Sequence, residues 1–294
     1  TISSDILCAF RDSDNDVYIA AGENGVIRRS PDGMVWSDVS TDYVSSHDIG
    51  DMAYNSSSGT YIGVIFSDQS EIVRSTDYGV TWTVSRMTDA INGGYLNAGF
   101  DPKSIAYGNG VWIAVGYGYD YQTNYPMIAR STDDGVSWSG IVSPNLPTNG
   151  YVNSSYNRCQ MRFVQTDGNS NWVVLGDYGS IFHSSDNGVN WKGMSWRDDH
   201  LVYDVHYGDN SYANTSDGGG WMLGMSGNTQ SGIMSGTDQT GGNGTYIRTF
   251  PNTEKIFGVA YDQTAGVHVN VTSSSVFYSS DNGTNWTQST AVPT

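Results

Sequence analysis

The sequence predicts an all-β fold, and its composition and its hydrophobic pattern both favour this class. Residues that favour helices are scarce, since only three of the 30 acidic residues are glutamates and only three of the 13 basic residues are lysines. Glycine (36) and tyrosine (20) are abundant, which is typical of chains with many turns and strands. Apolar residues alternate with polar ones in short segments, and the chain of 294 residues is long enough to bury a substantial core.

The net charge narrows the classes of partner. Lys and Arg total 13 against 30 Asp and Glu, so the formal charge is −17. Such a surface repels phosphate backbones and anionic lipid headgroups, which argues against nucleic acid and against membrane insertion. No apolar run approaches the roughly 20 residues of a membrane span, and no signal region opens the chain. We therefore expect a water-soluble protein, although Thr1 in first place leaves open that a segment was removed before it.

One short motif, S-x-D-x-G-x-x-W, recurs along the chain. Its four full copies are Ser75–Trp82, Ser131–Trp138, Ser184–Trp191 and Ser279–Trp286. A fifth copy, Ser30–Trp36, is one residue shorter, and a degenerate copy at Ser235–Gly241 lacks the tryptophan. Copies at this spacing are typical of structural repeats, so the sequence predicts six of them.

Each copy is predicted to form a hairpin turn with a structural role. Ser and Asp accept hydrogen bonds from the turn's own N–H groups, Gly supplies a positive φ, and Trp packs into the core at the start of the next strand. The residues assigned to this role are Asp32, Asp77, Asp133, Asp186, Asp281, Trp36, Trp82, Trp138, Trp191 and Trp286.

Each repeat is predicted to contain four strands, A to D, with the motif in the C–D turn. Strand B is the most apolar, and its copies are Val17–Ala21, Thr60–Phe66, Val111–Gly116, Asn171–Gly176, Gly220–Met225 and Val267–Val271. We expect a single domain over residues 1–294, with repeats at approximately 1–45, 46–92, 93–148, 149–198, 199–250 and 251–294. Four strands at this period are typical of propeller blades.

The motif resembles the Asp-box, or BNR, repeat of the sialidase-like β-propellers, and the resemblance runs over the whole chain. It implies a six-bladed β-propeller of four-stranded antiparallel blades with Asp-box hairpins in the C–D turns. The same box occurs in sialidases, other glycosidases, lectins, assembly factors and virion proteins. The resemblance therefore implies a fold without fixing an activity.

A candidate binding surface follows from the long connections. In such a blade the boxes share one face, and three long connections, Ser85–Pro102, Tyr117–Pro126 and Ser139–Asn157, fall on the opposite face of neighbouring blades 2 to 4. Tyrosines among small amides are typical of surfaces that stack on sugars or pack on proteins. The candidate binding residues are Tyr95, Tyr117, Tyr119, Tyr121, Tyr125, Tyr151 and Tyr156. That these tyrosines only cover their own loops stays an alternative.

No catalytic residues are assigned. Sialidases as a family use an arginine triad, a Tyr–Glu pair, an Asp acid and an Arg-Ile-Pro signature, and the signature is absent here. The three glutamates, Glu23, Glu71 and Glu254, lie in short turns or just before a strand. Three arginines that precede a box Ser are predicted to be structural: Arg29, Arg74 and Arg130. The spacing selects no triad among the other arginines, which are Arg11, Arg86, Arg158, Arg162, Arg197 and Arg248.

Metal and thiol chemistry are not predicted either. Asp12–Asp16 resembles the start of a calcium loop, but Val17 stands where the loop needs Gly, so we expect a solvated acidic turn. No cofactor is expected, although calcium elsewhere on so acidic a surface stays open. The histidines show no metal-ligand spacing and are treated as structural: His47, His183, His200, His206 and His268. Cys8 and Cys159 fall on strand A of blades 1 and 4, too far apart for a disulfide, so we expect free thiols.

The function that these patterns favour is a non-catalytic extracellular module for binding or assembly. The composition is similar to that of phage tail, fibre and capsid-decoration proteins, which favours a structural, receptor-binding or glycan-binding protein of a virion. Its partners would be other structural proteins of the same particle or a cell-surface glycan, and its place extracellular or on the virion surface. Two alternatives remain: a diverged sialidase-like glycoside hydrolase, and a secreted lectin or adhesin.

Overall fold

The structure is a computed structural model that describes fourteen segments of the chain. These are residues 4–39, 47–67, 69–87, 100–119, 124–142, 160–177, 180–195, 200–208, 220–227, 231–236, 245–250, 256–262, 265–281 and 285–289.

Strands of the first half of the chain form three four-stranded antiparallel sheets, each built from consecutive strands. Sheet 1 contains β1 (Ile6–Asp12), β2 (Val17–Gly22), β3 (Ile27–Ser30) and β4 (Ser37–Asp38), with a 3-10 turn at Glu23–Gly25. Sheet 2 contains β5 (Ile49–Asn55), β6 (Thr60–Ile65), β7 (Glu71–Ser75) and β8 (Thr83–Arg86). Sheet 3 contains β9 (Phe100–Gly108), β10 (Val111–Tyr119), β11 (Asn124–Ser131) and β12 (Ser139–Val142).

The second half repeats this arrangement in three further four-stranded sheets. Sheet 4 contains β13 (Met161–Thr166), β14 (Trp172–Gly176), β15 (Ser180–Ser184) and β16 (Lys192–Ser195). Sheet 5 contains β17 (His200–Gly208), β18 (Gly220–Gly227), β19 (Ser231–Gly236) and β20 (Thr245–Phe250), of which the backbone is described. Sheet 6 contains β21 (Ile256–Asp262), β22 (Val267–Thr272), β23 (Val276–Ser279) and β24 (Thr287–Gln288).

The prediction of an all-β chain of four-stranded antiparallel units is confirmed by these sheets. The chain divides into two compact units, residues 1–143 with 156–164 and residues 144–155 with 165–294. Sheets 1 to 3 and the first residues of β13 belong to the first unit, and the remaining strands to the second. Among the residues described, no helix has the length and apolar character needed to cross a bilayer.

A β-bulge interrupts the first strand of most sheets at a corresponding position. The pairing with the second strand skips Leu7, Gly50, Lys103, Tyr203 and Phe257 in sheets 1, 2, 3, 5 and 6. A bulge turns the side chains that follow it to the other face of the strand and increases the local twist. The residue after the bulge is therefore aimed differently from its neighbours in a regular strand.

In the first unit, the residue after each bulge bonds to the first strand of the next sheet. The thiol of Cys8 points at the carbonyl oxygen of Ile49, with Sγ at 3.8 Å from it. Asp51 Oδ2 accepts hydrogen bonds from Ser104 Oγ at 2.7 Å and from the following backbone N–H at 3.0 Å. Ser104 Oγ accepts in turn from the backbone N–H of Val164 at 3.2 Å. These bonds fix the position of neighbouring first strands relative to one another.

The environment of Cys8 predicts an unreactive thiol. Burial raises the pKa of Cys8, and the negative charge of Asp51 raises it further. Because the thiolate is the nucleophile, iodoacetamide should modify Cys8 at pH 8 at least about tenfold more slowly in the folded protein than in denaturant. Peptide mass spectrometry of timed samples measures both rates, and equal rates would contradict the described environment. The same spectra, recorded without reductant, test whether Cys8 and Cys159 are unpaired.

Apolar side chains join the first three sheets to one another. The cluster between sheets 1 and 2 includes Ile19, Tyr61 and Trp82, and the cluster between sheets 2 and 3 includes Ile62 and Trp138. In both cases the tryptophan of a repeated turn packs on the second strand of the preceding sheet. Contact between sheets, rather than within them, therefore forms the core of this unit.

Two of the three arginines that precede a turn serine also connect sheets. Arg29 Nε donates to the carbonyl oxygen of Tyr78 at 3.0 Å, and Arg74 Nε donates to that of Asp134 at 2.7 Å. Tyr78 and Asp134 occupy the same place in their turns and both have a positive φ. Each arginine thus binds the turn of the following sheet, which is a structural role.

The repeated turn has the same hydrogen bonds wherever its side chains are described. In sheet 2, Ser75 Oγ donates to Asp77 Oδ1 at 2.8 Å, and the same oxygen accepts the backbone N–H of Thr81 at 2.9 Å. Trp82 Nε1 donates to the carbonyl oxygen of Gly79 at 3.1 Å, and Gly79 has a φ of +76°. Each polar group of the turn is therefore bonded within the turn itself.

Four other turns repeat this pattern. Their carboxylates accept backbone N–H groups at 2.8 Å from Val35, Ser137, Asn190 and Asn285. The indole N–H donates to the glycine carbonyl at 3.1 Å in Trp36, Trp138 and Trp191. These shared hydrogen bonds explain why Ser, Asp, Gly and Trp recur together in the five copies, including the shorter copy Ser30–Trp36.

Burial of the turn tryptophans varies, although the sequence led us to expect buried rings in all four full copies. Trp82 and Trp138 are 2% exposed, whereas Trp191 and Trp286 are half-buried and Trp36 is 37% exposed. The turn geometry is the same in each described case, so the turn does not decide the burial of the ring. Burial therefore depends on what packs on the ring from outside its own turn, as the clusters around Trp82 and Trp138 illustrate.

The turn aspartates predict a loss of stability in acid. Burial raises the pKa of Asp77, but hydrogen bonds from Thr81 and Ser75 outweigh this effect, so the pKa lies below its ordinary value. A carboxyl whose pKa is lower in the folded state stabilises the protein above its unfolded pKa of about 3.9, and this stabilisation is lost as the pH falls through the folded value.

Asp77→Asn provides the measurement of this effect. At pH 7 the variant should unfold at lower urea concentration than the parent protein, because asparagine loses the charge-assisted bonds. The two midpoints should approach each other as the pH falls below about 3.9 toward the lowered pKa of folded Asp77, since protonation then removes the charge from the parent protein as well. A difference that stays constant between pH 7 and pH 2 would contradict a lowered pKa.

Candidate functional site

The connections between strands alternate between the two edges of each sheet, because neighbouring strands are antiparallel. By edge we mean the end of a sheet at which its strands begin or finish, not an outer strand. The repeated turns lie at the same end as the connections from the first to the second strand, and we call this end the turn edge. The opposite edge, here the loop edge, carries the connections from the second to the third strand and the links to the next sheet. In sheets 2 and 3 the two edges differ in the length of their connections.

Long connections lie at the loop edge of sheets 2 and 3. Residues 88–99 connect β8 to β9, and residues 143–159 connect β12 to β13. The connection from β10 to β11 at the same edge is short and spans residues 120–123. At the turn edge of the same sheets, residues 56–59 and 109–110 suffice to join first and second strands. Connections longer than a hairpin requires are typical of binding loops.

Lys103 lies at the bulge of β9, close to the point where residues 88–99 enter sheet 3. Its Nζ bonds to Asp101 Oδ1 at 2.8 Å and lies 4.4 Å from the ring centroid of Phe66 and 5.3 Å from that of Tyr117. The side chain of Lys103 is 18% exposed and that of Asp101 is 11% exposed. An ion pair between two aromatic rings holds the lysine in one position and gives the loop edge a rigid base.

A second polar cluster lies beside it on sheet 2. Glu71 is 5% exposed, and its Oε1 lies 3.5 Å from Arg86 Nη2, which also contacts Gln69. Ser67 Oγ donates to Glu71 Oε2 at 3.4 Å. Glu71 is thus part of the packing between β7 and β8.

Six of the seven candidate tyrosines have side chains outside the described residues or lie there entirely. Tyr119 and Tyr125 lie in β10 and β11, where their backbone is described. Those that fall outside the described residues are Tyr95, Tyr121, Tyr151 and Tyr156.

The position of Tyr117 differs from the expectation. The sequence predicted a connection from Tyr117 to Pro126, but β10 continues to Tyr119 and β11 begins at Asn124. Tyr117 pairs with Asp101 and Pro126 and is 8% exposed. β10 and β11 pair in regular register from Trp112 opposite Ser131 to Tyr119 opposite Asn124, so Tyr117 belongs to the base of the loop edge and not to a loop.

The arginines considered for a carboxylate clamp are dispersed in the described residues. Arg11 pairs with Asp16 at 2.9 Å in an exposed position at the turn edge, whereas Arg86 and Arg162 lie near the loop edge. Arg248 lies in β20, and Arg158 and Arg197 fall outside the described residues, as does Glu254. Glu23 accepts the backbone N–H of Asp5 at 3.2 Å. This arrangement assembles no clamp among the described arginines.

The acidic segment Asp12–Asp16 forms a closed turn between β1 and β2. Asp12 is buried, and its oxygens accept the hydroxyl of Tyr61 at 2.6 Å and the side-chain amide of Asn15 at 2.9 Å. Burial raises the pKa of Asp12, but these bonds outweigh it and lower the pKa below its ordinary value. Across the described parts of the chain, no group of three or more His, Cys, Asp or Glu residues could hold a metal ion.

Sequence reasoning missed Lys103 and Asp51. Two signals pointed to Lys103: it is one of three lysines, and it follows Pro102 inside a strand, where proline indicates a bulge. Asp51 lies in a segment predicted as a strand, and its three donors are Ser104 Oγ and two backbone N–H groups. Burial raises its pKa more than these bonds lower it. Only a known neighbour strand could have revealed this role.

Comparison with solved structures decides the fold. The structure of YCF48 from Cyanidioschyzon merolae is similar with a TM-score of 0.68 at 14% identity, over 98% of this chain and 85% of that one. YCF48 bound to a D1 peptide gives 0.65 at 16% identity, over 97% and 81%. The chain has a β-propeller fold. The β-propeller domain of Cps50 (Swd1) from Myceliophteria thermophila is also similar, with a TM-score of 0.61 at 8% identity over 95% and 84%.

These comparisons do not assign the propeller to a protein family. No protein-family model and no curated protein matches the chain. At identities of 8% to 16% the similarity concerns the fold alone. The function of the propeller must therefore be argued from its own residues.

Proposed function

We propose that this propeller is a non-catalytic binding or assembly module that engages its partner through the loop edge of sheets 2 and 3. The observation that carries the proposal is the asymmetry of the connections. In sheets 2 and 3 the turn edge has short hairpins whose described polar groups are bonded internally, whereas residues 88–99 and 143–159 form long connections at the loop edge.

The base of the loop edge supports this role. Lys103, Phe66 and Tyr117 pack together at the ends of their strands, and their rings and ion pair leave little freedom to the backbone. Loops on a rigid base are the usual way in which a scaffold presents binding residues. The loops contain Tyr95, Tyr121, Tyr151 and Tyr156. Aromatic rings provide contact area at small entropic cost, which suits a sugar or a protein surface.

We also infer the finer features of the fold. The six sheets are proposed to be the six blades of one propeller, and the repeated turns to be Asp-boxes like those of sialidase-like propellers. Support comes from the six repeats and from the bonds of Asp77 and its four counterparts. Averaged electron-microscope images of the isolated chain, viewed along the ring axis, would count the blades directly, and five lobes would contradict this inference.

The biological setting that we propose is a virion surface, or another extracellular particle. The support is compositional: few lysines and glutamates, many Gly, Ser, Asn and Tyr residues, and a net charge of −17. The partner would be a structural protein of the same particle or a cell-surface glycan. The competing assignments are a diverged sialidase-like glycoside hydrolase and a secreted lectin or adhesin.

The test compares tyrosines on and away from the loop edge. Tyr95→Ala and Tyr121→Ala remove candidate contacts, and Tyr278→Ala is the matched control, because Tyr278 is 42% exposed and lies beside a repeated turn. Binding is measured on an array of sialylated and neutral glycans and against the proteins that co-purify with the chain from its source. Replacing a tyrosine at the centre of the contact by alanine should weaken binding by roughly 2 kcal/mol, about thirtyfold, whereas Tyr278→Ala should leave the affinity unchanged.

Hydrolysis is assayed on the same samples with fluorogenic sialosides and neutral glycosides. The proposal expects no turnover above that of buffer. Turnover that disappears in Arg11→Ala or Arg162→Ala would replace it by the hydrolase assignment. Equal loss of binding in Tyr278→Ala and the loop variants would show that the loop edge is not the contact surface.

A further inference from the structure

The buried face of β22 in sheet 6 has a composition that the other second strands lack. The residue paired with the turn serine is aromatic in the first four sheets and histidine in sheet 6: Tyr18, Tyr61, Trp112, Trp172 and His268. Two residues later on the same face the series is Ala20, Gly63, Ala114, Val174 and Asn270. Sheet 6 therefore replaces an aromatic and a small apolar residue by two polar ones.

Asn270 is fully buried, and neither atom of its amide has a hydrogen-bond partner among the residues that the structure describes. Its exposed fraction is 0%, and both Oδ1 and Nδ2 are unsatisfied. Its strand neighbours in the pairing are Val259 and Phe277, which are apolar and 7% and 8% exposed. Buried amides in native proteins almost always have a partner, because an unsatisfied donor or acceptor loses its hydration without compensation.

We propose that the buried face of β22 binds an ordered water molecule at Asn270. The chemistry of the amide selects this ligand. A cation would satisfy only Oδ1, and an anion would satisfy only Nδ2. Water donates and accepts, so it satisfies both atoms, and its remaining hydrogen-bonding capacity is available to polar groups nearby.

The position of His268 is consistent with such a site. It lies two residues before Asn270 on the same face of β22, is fully buried, and its ring lies 6.5 Å from that of Trp286. An imidazole has one donor and one acceptor nitrogen in its neutral form. The two atoms of the Asn270 amide already provide the two partners that a buried water requires, and His268 places a further polar side chain on the same strand face.

The first test is the sign of a stability change. Asn270→Leu removes the amide at similar volume. If water is bound, the variant loses its hydrogen bonds, and the unfolding midpoint should fall by about 3 °C or more. If the amide is simply unsatisfied, leucine removes an unfavourable group and the midpoint should rise. Val174→Leu, at the same position of sheet 4, is the control for the tolerance of leucine at this place in a blade.

The second measurement keeps the proposal testable if Asn270→Leu fails to fold. A crystal structure of the parent protein at about 1.5 Å resolution should show a density peak within about 3.2 Å of Oδ1 or Nδ2, with further polar neighbours at hydrogen-bond distance. A peak at about 2.4 Å from Oδ1 surrounded by oxygens would identify a cation and overturn the proposal. Absence of any peak, or an amide bonded to protein groups, would overturn it as well.

Discussion

Replacing Trp82 or Trp138 by alanine should lower the free energy of unfolding by about 3–5 kcal/mol, because each ring fills the space between two sheets. Both rings are 2% exposed and pack on the second strand of the preceding sheet. Each indole N–H also donates to a glycine carbonyl at 3.1 Å, and that bond is lost with the ring. Urea unfolding followed by circular dichroism gives the two free energies.

Trp36→Ala is the matched control for this prediction. It removes a tryptophan from the corresponding turn of sheet 1. The indole N–H makes the same 3.1 Å hydrogen bond there, but the ring is 37% exposed. The loss should be clearly smaller than for Trp82, since less apolar surface is transferred to water. Equal losses at the three positions would mean that the turn, and not contact between sheets, provides the stabilisation.

Replacing Gly116 by alanine should destabilise the protein by roughly 3 kcal/mol or more, because backbone atoms occupy the space that the new methyl group needs. A Cβ at Gly116 would lie 2.0 Å from the carbonyl oxygen of Asp101 and 2.8 Å from Cα of Pro102. Both are main-chain atoms of the bulged segment that presents Lys103. The glycine therefore allows β10 to approach the bulge and builds the base of the loop edge.

Gly110→Ala separates this steric effect from the conformational one. Gly110 has a φ of +75°, but a Cβ there would meet nothing within 4 Å. Its replacement should cost about 1–2 kcal/mol from the left-handed backbone alone. Unfolding curves of both variants provide the comparison, and a Gly116→Ala protein as stable as Gly110→Ala would contradict the described contact.

The sequence predicted the strands well because the repeat supplies several copies of one local solution. The segment Val17–Ala21 became β2 (Val17–Gly22), and Thr60–Phe66 became β6 (Thr60–Ile65). The bonds of the repeated turn depend on residues a few positions apart, so its role could be read from spacing alone. Comparison with solved propellers then confirmed the fold class.

Features that depend on contact between sheets could not be predicted in this way. Tyr117 was expected in a loop, yet regular pairing extends β10 to include it. The differing burial of Trp36 and Trp82 depends on what covers each ring, although both indoles make the same hydrogen bond within their turns. Asp51 and Lys103 acquire their partners from a neighbouring strand or a bulge, which no local pattern encodes.

The central claim is that the partner contacts the loop edge of sheets 2 and 3, and hydrogen–deuterium exchange tests it most directly. Exchange of the purified chain is measured alone and with the partner identified by the binding assays. We predict slower exchange in peptides that cover residues 88–99, 120–123 and 143–159, and unchanged exchange in the repeated turns at Ser75–Trp82 and Ser131–Trp138. Protection confined to those turns, with the three connections unchanged, would contradict the claim.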